Sequence, residues 1–271
     1  PQEMSQKIRW LALPWESKVK VHLHEIMKNT DAEALYQQFV PESTEVYRNN
    51  VKPTDAAFDI QQLARLSNTQ TMLAHINTDN ESENGLFLMR LYLYNQDVTL
   101  SDLFPIVKNL GMSLVKERKY DIESNHQLYS IISLSLTSHN PLSLTQSRAK
   151  TIMRCITQIL AKNYQNDALN SLLMFSDISI EQLEVIRAYM YYLVQLKFDL
   201  RLEYMIQTSL TYPKLVNELI ALFMDRFTPH NKATDQDILE KKQGFLEKLE
   251  VVKTLNEDKF FKALTECIFA T

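Results

Sequence analysis

Glycine is nearly missing from this sequence. Only Gly85, Gly111 and Gly244 occur in 271 residues, where ordinary usage would supply roughly 19. A phosphate-gripping loop needs clustered glycines so that backbone can approach the phosphate, and neither GxGxxG nor GxxxxGK[ST] can be written with these three. Nucleotide binding by a glycine-rich turn is excluded. Cysteine is almost as scarce. Cys155 and Cys267 lie in the apolar helical patterns "TIMRCITQIL" and "ALTECIF", with neither a CxxC nor a neighbouring His. They read as buried, reduced thiols rather than zinc ligands. Long hydrophobic runs are missing too. "ISLSL" and "LIALFM" fall far short of the ~20 residues of a spanning helix, and "PQEMSQKIRW" contains no apolar signal core. A basic excess is also lacking, because the formal net charge is -4, which provides no electrostatic footprint for nucleic acid. The expectation is a cytoplasmic chain with neither a membrane nor a nucleic acid as partner.

Apolar residues make up 45% and charged residues 23%, an ordinary globular balance in a chain long enough for more than one core. It opens on Pro1 and stops at "CIFAT" within an apolar helical pattern, which reads as a segment of something longer. Residues 1–68 are expected to be helical. "WESKVKVHLHEIM" repeats apolar Val19, Leu23, Ile26 and Met27 near a 3.6 period, and "TDAEALYQQFV" and "PTDAAFDIQQLARL" each offer Thr-Asp as a helix start. The period changes at 69. "TMLAHINT" and "GLFLMRLYLYN" read as strands joined by a polar hairpin loop, "DNESEN". "TLSDLFPIVKNLGM" reads as a short amphipathic helix with Thr99 or Ser101 as N-cap, Pro105 in the first turn and Gly111 as a left-handed stop. "MSLVKERKYDIES" and "HQLYSIISLSLTS" read as two more strands, and a helix follows through Ile152, Cys155, Ile156, Ile159 and Leu160. Residues 69–165 are therefore expected to be an α+β sandwich in the order ββαββα, its antiparallel sheet covered on one face.

From 166 to 271 the pattern is helical again and predicts a bundle. "SIEQLEVIRAYMYYLVQL" carries the capping box Ser179 to Gln182. "TYPKLVNELIALFMDRF" places Pro213 in a first turn, "NEDKFFKALTECIF" is expected to be capped by Asn256, and "TPHNKAT" reads as a linker.

No catalytic constellation emerges. His22 and His24 are two apart and point to different faces of a helix, while His139 and His230 fall in turn-like "SHNP" and "TPHNK". The carboxylates read as solvated helix faces, and "AYMYYL" reads as core with its Tyr hydroxyls at the rim. In "VKERKYD", Lys116, Arg118 and Tyr120 share one strand face, expected to be exposed. No metal ligands and no catalytic residues are assigned.

Three stretches carry a resemblance: "YRNNVKPTDAAFDIQQLARL", "FLMRLYLYNQDVTLSDLFPIVKNLGMSLVKERKYDI" and "DISIEQLEVIRAYMYYLVQLKFDLRLEYMIQTSLTYPKLVNELIALFMDRFTP". Ala188, Tyr189, Tyr192, Leu193 and Gln195 match an Ala-Tyr-x-x-Tyr-Leu-x-Gln helix, and Leu222, Phe223, Arg226 and Phe227 match Leu-Phe-x-x-Arg-Phe. The chain resembles the non-catalytic region preceding the dehydrogenase core of the large NAD-specific glutamate dehydrogenases. The resemblance implies an ACT-like (ferredoxin-like) module over residues 69–165, flanked by an N-terminal helical segment and a C-terminal helical bundle. It further implies a parent oxidoreductase that converts L-glutamate and NAD to 2-oxoglutarate and ammonia, with NAD and the catalytic lysine held outside this segment. The segment would serve assembly and allosteric control in a homo-oligomer, with its own catalytic domain and neighbouring subunits as partners. A small amino-acid effector would bind near Asn95, Asp97, Thr99, Ser101 and Gly111. A stand-alone amino-acid sensor or helical interaction protein is the alternative.

Overall fold

A computed structural model describes residues 10–77, 86–138, 144–228 and 234–271. The expected "DNESEN" loop, Gly85, His139, His230 and most of the "TPHNKAT" linker lie outside the described residues. The chain divides into two compact units, one of residues 1–103 and 114–137, the other of residues 104–113 and 138–271.

From Trp15 onward the first unit runs through four helices: α1 (Trp15–Ile26), α2 (Asn29–Phe39), α3 (Glu45–Asn50) and α4 (Pro53–Leu63). The Thr-Asp pairs do not cap them. Lys28 and Lys52 hold the N-cap positions of α2 and α4, so Thr30 and Thr54 fall inside the helices. For α4 the reason is Pro53, whose fixed φ and missing N–H suit the first helical position. A true cap is found one helix earlier, where the Thr44 side chain accepts from the Tyr47 N–H.

Four strands follow: β1 (Met72–Asn77), β2 (Leu86–Tyr94), β3 (Met112–Ser124) and β4 (Gln127–Ser138), in the sheet order β1-β2-β4-β3. β2 is antiparallel to both neighbours, with His75 opposite Arg90 on one side and Ser133 opposite Arg90 on the other. Asn125 (φ 52°) and His126 (φ 60°) make the two-residue turn from β3 to β4. Two successive positive φ values match the right-handed strand twist, and Asn tolerates the conformation better than most residues. A short helix, α5 (Leu100–Asn109), lies between β2 and β3 in the chain. β4 separates those two strands in the sheet, which is the split βαβ arrangement of α+β sandwiches.

Both faces of the sheet are buried, where one was expected. On one face Tyr92, Tyr120, Ile122, Tyr129 and Ile131 share a core with Val19, Leu23, Phe39, Tyr47, Ile60 and Leu63 of the N-terminal helices. The alternate residues Met89, Leu91, Leu93, Ile132, Leu134 and Leu136 are buried as well. Tyr120, expected on an exposed face with Lys116 and Arg118, is only 4% exposed. Its ring meets Tyr47 edge-on with centroids 5.1 Å apart. The strand is long enough that its second half passes under the helices while its first half does not.

In α5, Thr99 is the cap: its hydroxyl accepts from the Asp102 N–H at 3.3 Å, and Asp102 Oδ2 accepts from the Thr99 N–H at 2.9 Å. Pro105 sits inside the helix, beyond the first turn. The carbonyl four residues earlier therefore receives no N–H from it. Gly111 ends this stretch at φ 76°, as expected.

The second unit holds α6 (Gln146–Leu160), a 3-10 turn (Ala168–Ser171) that runs into α7 (Leu172–Phe175), then α8 (Ile180–Gln195), α9 (Leu202–Thr211), α10 (Pro213–Phe227), α11 (Asp235–Lys248) and α12 (Leu255–Ala270). The Ser179 to Gln182 box and Pro213 at the start of α10 are as read from sequence. α12 starts two residues earlier than expected. Thr254 caps it reciprocally with Glu257, and Asn256 lies within the helix. Thr-x-x-Glu satisfies two orphan N–H groups where Asn alone would satisfy one. Cys155 and Cys267 are buried and unpaired, and burial pushes the Cys155 thiol up to about 12.

Two of the glycines should respond oppositely to substitution. At Gly111, φ 76° strains any L side chain although Ser171 Cβ stands at an ordinary 3.5 Å, so Gly111→Ala is expected to cost about 1–2 kcal/mol. At Gly244, inside α11, an added Cβ meets nothing within 4 Å, and Gly244→Ala should stabilise by about 0.5–1 kcal/mol. Urea unfolding midpoints of the two variants should move in opposite directions. A shared direction would refute the conformational account.

Candidate functional site

The densest polar constellation in the first unit is centred on a carboxylate. α4 turns Ala56, Ile60 and Leu63 inward, and Asp59 stands on the same stripe, three residues after Ala56 and four before Leu63. Asp59 is fully buried. Its Oδ2 accepts the Tyr47 hydroxyl at 2.7 Å, and its Oδ1 accepts the Tyr92 hydroxyl at 2.7 Å and Arg90 Nη1 at 2.7 Å. Arg90 also donates through Nη2 to Asp55 Oδ2 at 3.2 Å, and through Nη1 to the Asp55 carbonyl at 3.4 Å. Three donors on one buried carboxylate are what a charge removed from water requires.

Burial and charge oppose one another here. Burial pushes the Asp59 carboxyl upward against the pull of Arg90 and both tyrosine hydroxyls. Burial also draws the Arg90 guanidinium down, but the Asp59 charge and its neighbours outweigh it and the net direction is up. Both tyrosines are raised well above the usual phenol range, first by burial and then by the Asp59 charge. They are donors held protonated. The same residues anchor their surroundings: Trp15 stacks edge-on against Tyr47 at 6.0 Å and donates Nε1–H to the Val51 carbonyl at 2.8 Å.

Beside this network a cleft of about 280 Å³ opens between the start of α4 and the sheet, lined by Asp55, Phe58, His75, Asn77, Leu88 and Arg90. His75 and Asn77 on β1 pair across the ladder with Arg90 and Leu88 on β2, so all four share one face. The Phe58 and His75 rings lie 4.5 Å apart.

The loop expected to hold an effector carries local hydrogen bonds of its own. Asn95, at φ 49°, closes the end of β2 onto β4. Its N–H donates to the Leu128 carbonyl at 2.8 Å, its Oδ1 accepts from the Leu128 N–H at 2.9 Å, and its Nδ2 donates to Gln127 Oε1 at 2.5 Å. Asp97 is exposed and meets Lys119 Nζ at 3.3 Å. Thr99 spends its hydroxyl on the cap, and Ser101 is exposed on the first turn of α5. These four lie along one surface segment of the first unit, whereas Gly111 belongs to the second.

The second unit has a smaller charge cluster. Arg187 of α8, 3% exposed in its side chain, clamps Asp167 bidentately (Nε to Oδ2 2.9 Å, Nη2 to Oδ1 3.1 Å). It also reaches Asn170 Oδ1 at 2.7 Å and pairs with Glu184. Burial draws this guanidinium down, and the bonds and charge of Asp167 outweigh that. The cluster fastens the 3-10 turn before α7 to α8. In the "AYMYYL" stretch Met190 and Leu193 are core, while Tyr192 is 47% exposed.

Asp59, Arg90 and Arg187 were all missed from sequence. The signal was present: each is a charge on an otherwise apolar helix stripe or strand. Among the described residues no group of three or more His, Cys, Asp or Glu could hold a metal ion, and no helix is long and apolar enough to cross a membrane.

Two family models match. Residues 71–149 match the ACT3 domain of glutamate dehydrogenase and residues 164–229 match its helical motif 3, together more than half of the chain. Among curated relatives, the NAD-specific glutamate dehydrogenase of Halomonas elongata is 26% identical over 269 residues, covering 99% of this chain and 17% of that protein. The namesake from Pseudomonas aeruginosa is 27% identical over 83% of this chain, and that from Mycobacterium tuberculosis 24% over 84%, each match covering 14% of the relative. The chain thus spans under a fifth of the length of these relatives. Arg90 and Tyr92 fall within the ACT3 match, and Asp59 and Tyr47 precede it.

The Asp59 network should be far costlier to break than to replace. Arg90→Met alone leaves a fully buried carboxylate without its counter-charge and is expected to cost about 3–5 kcal/mol. Adding Asp59→Leu should recover part of that loss, since the uncompensated charge goes too while the Tyr47 and Tyr92 hydroxyls lose their acceptor. Urea titrations of both single variants and the double variant measure the coupling. Simple additivity would show that the pair does not act as a unit.

Proposed function

The chain belongs to the glutamate dehydrogenase family, and from that premise we propose that it is a non-catalytic segment serving regulation and assembly of an NAD-dependent parent enzyme. The parent reaction is the oxidation of L-glutamate by NAD to 2-oxoglutarate and ammonia. The observation that carries the reading is the pair of matched modules: an ACT3 domain at residues 71–149 and helical motif 3 at residues 164–229. The near absence of glycine supports it, because a dinucleotide-binding turn would have to be supplied by another part of the parent.

The internal construction supports the same role. The charged clusters described above, around Asp59 and Arg187, tie helices to strands or turns through buried hydrogen bonds. Asp59 and Arg187 at their centres are committed to the fold, as a scaffold requires. Catalytic acids and bases instead need reach to a substrate proton and a pKa matched to the working pH. The functional partners on this reading are the catalytic domain of the same polypeptide and neighbouring subunits of a homo-oligomer.

Two measurements test the proposal. The purified chain, given L-glutamate and NAD, should form no NADH above the enzyme-free rate; glutamate-dependent NADH formation would overturn it. Deleting the segment from the parent enzyme should change the number of subunits in the assembly or the response to effectors. A deletion variant with unchanged subunit number and unchanged kinetics would remove the regulatory and assembly role.

A further inference from the structure

The cleft beside Asp59 has a charge balance that selects its occupant. Among the described residues that line it, Arg90 is the one arginine or lysine, and that guanidinium already faces two carboxylates, Asp59 at 2.7 Å and Asp55 at 3.2 Å. Counted formally, the three groups carry one excess negative charge. The two carboxylates are not equivalent. Asp59 is sealed and saturated by three donors, whereas the Asp55 side chain is 42% exposed and faces the cleft. Asp55 therefore has acceptor capacity left toward the opening. An anion entering here would meet a guanidinium already neutralised and a carboxylate at the rim. A cation would meet an acceptor, an aromatic ring at Phe58 and a charge left over beneath it.

Shape narrows the class further. A volume of about 280 Å³ is at or below the range that holds drug-sized ligands, so a nucleotide is too large. The walls are mixed, with Phe58 and Leu88 apolar and Asn77 and His75 polar. We propose that this cleft, built by the start of α4, β1 and β2, binds a small molecule through a primary ammonium group, with Asp55 accepting its hydrogen bonds and Phe58 covering its alkyl or charged end. The site is distinct from the Asn95 to Ser101 loop and does not depend on the role given to the segment in a parent enzyme.

The ammonium can come from a simple amine or from an amino acid, and calorimetric titration of the full chain separates them. Three probes of similar size suffice: n-butylammonium, 4-aminobutyrate and butyrate. Saturable heat is expected with n-butylammonium and none with butyrate. Equal binding of 4-aminobutyrate identifies the zwitterion as an acceptable source, and its exclusion identifies a free amine; either outcome supports the site. Asp55→Asn should weaken cation binding about tenfold or more, the worth of a charge-assisted hydrogen bond. Phe58→Leu keeps the apolar volume, loses the ring face and should weaken it roughly two- to fivefold. Circular dichroism checks that both variants keep the fold. Should Asp55→Asn unfold the chain, the Phe58→Leu comparison still decides, because ring loss does not touch the ion pair. No saturable cation binding, tighter binding of butyrate than of n-butylammonium, or cation binding unchanged in both variants would overturn the proposal.

Discussion

The first unit depends on one carboxylate. Asp59 sits where α3, α4 and β2 meet and gathers a donor from α3 and two from β2. Taken out of water alone, a carboxylate of this burial would cost several kcal/mol even after relaxation. Its placement is tolerable only when Tyr47, Arg90 and Tyr92 are all in position, so forming the site and docking the helices on the sheet are one event. The aromatic stack that surrounds it follows from the same placement. Tyr47, fixed by its hydroxyl, presents its ring edge-on to Trp15 on one side and to Tyr120 on the other.

That dependence explains which parts of the architecture were legible in the sequence. Helices whose apolar residues recur every three to four positions were read in place, as were Ser179, Pro213 and Gly111 at their ends, because caps and stops are local chemistry. The errors were of two kinds. Thr30, Thr54 and Asn256 each read as a good cap in isolation, yet Pro53 in one case and the reciprocal Thr254 and Glu257 pair in another make a neighbouring position better. Tyr120 was placed on an exposed face because Lys116 and Arg118 share its parity. Whether a strand passes beneath a helix halfway along is a tertiary fact that alternation cannot report.

The candidate site was less legible than the fold. The loop from Asn95 to Ser101 reads as a candidate because polar residues between a strand and a helix often face a ligand. Here Asn95 uses its amide oxygen and one amide N–H to close β2 onto β4, and Thr99 uses its hydroxyl to start α5. Asp59 and Arg90 went unremarked because carboxylates and guanidinia are abundant on soluble surfaces. The informative feature was their setting: Arg90 is the single charge within "LFLMRLYLY", and Asp59 shares the stripe of Ala56 and Ile60. A charge at a position whose neighbours at i−3, i+1 and i+4 are buried is itself buried, and a buried charge has a partner.

The polar network also settles a question that hydrophobicity leaves open. Sheet register is specified strongly when one face is apolar and the other polar, since a one-residue slip then turns the apolar set toward water. β2 offers no such contrast, because Met89, Leu91 and Leu93 are buried on one face and Phe87 lies with them, while Tyr92 is buried on the other. Shifting it by one residue against β4 would exchange one apolar set for another at small cost. It would also carry Arg90 and Tyr92 to the face away from Asp59, stranding a carboxylate in an apolar core. The slip that burial barely penalises is penalised by the full cost of an unpaired charge. Arg90 thus adds to the pairing of Asp59 a penalty against the wrong alignment.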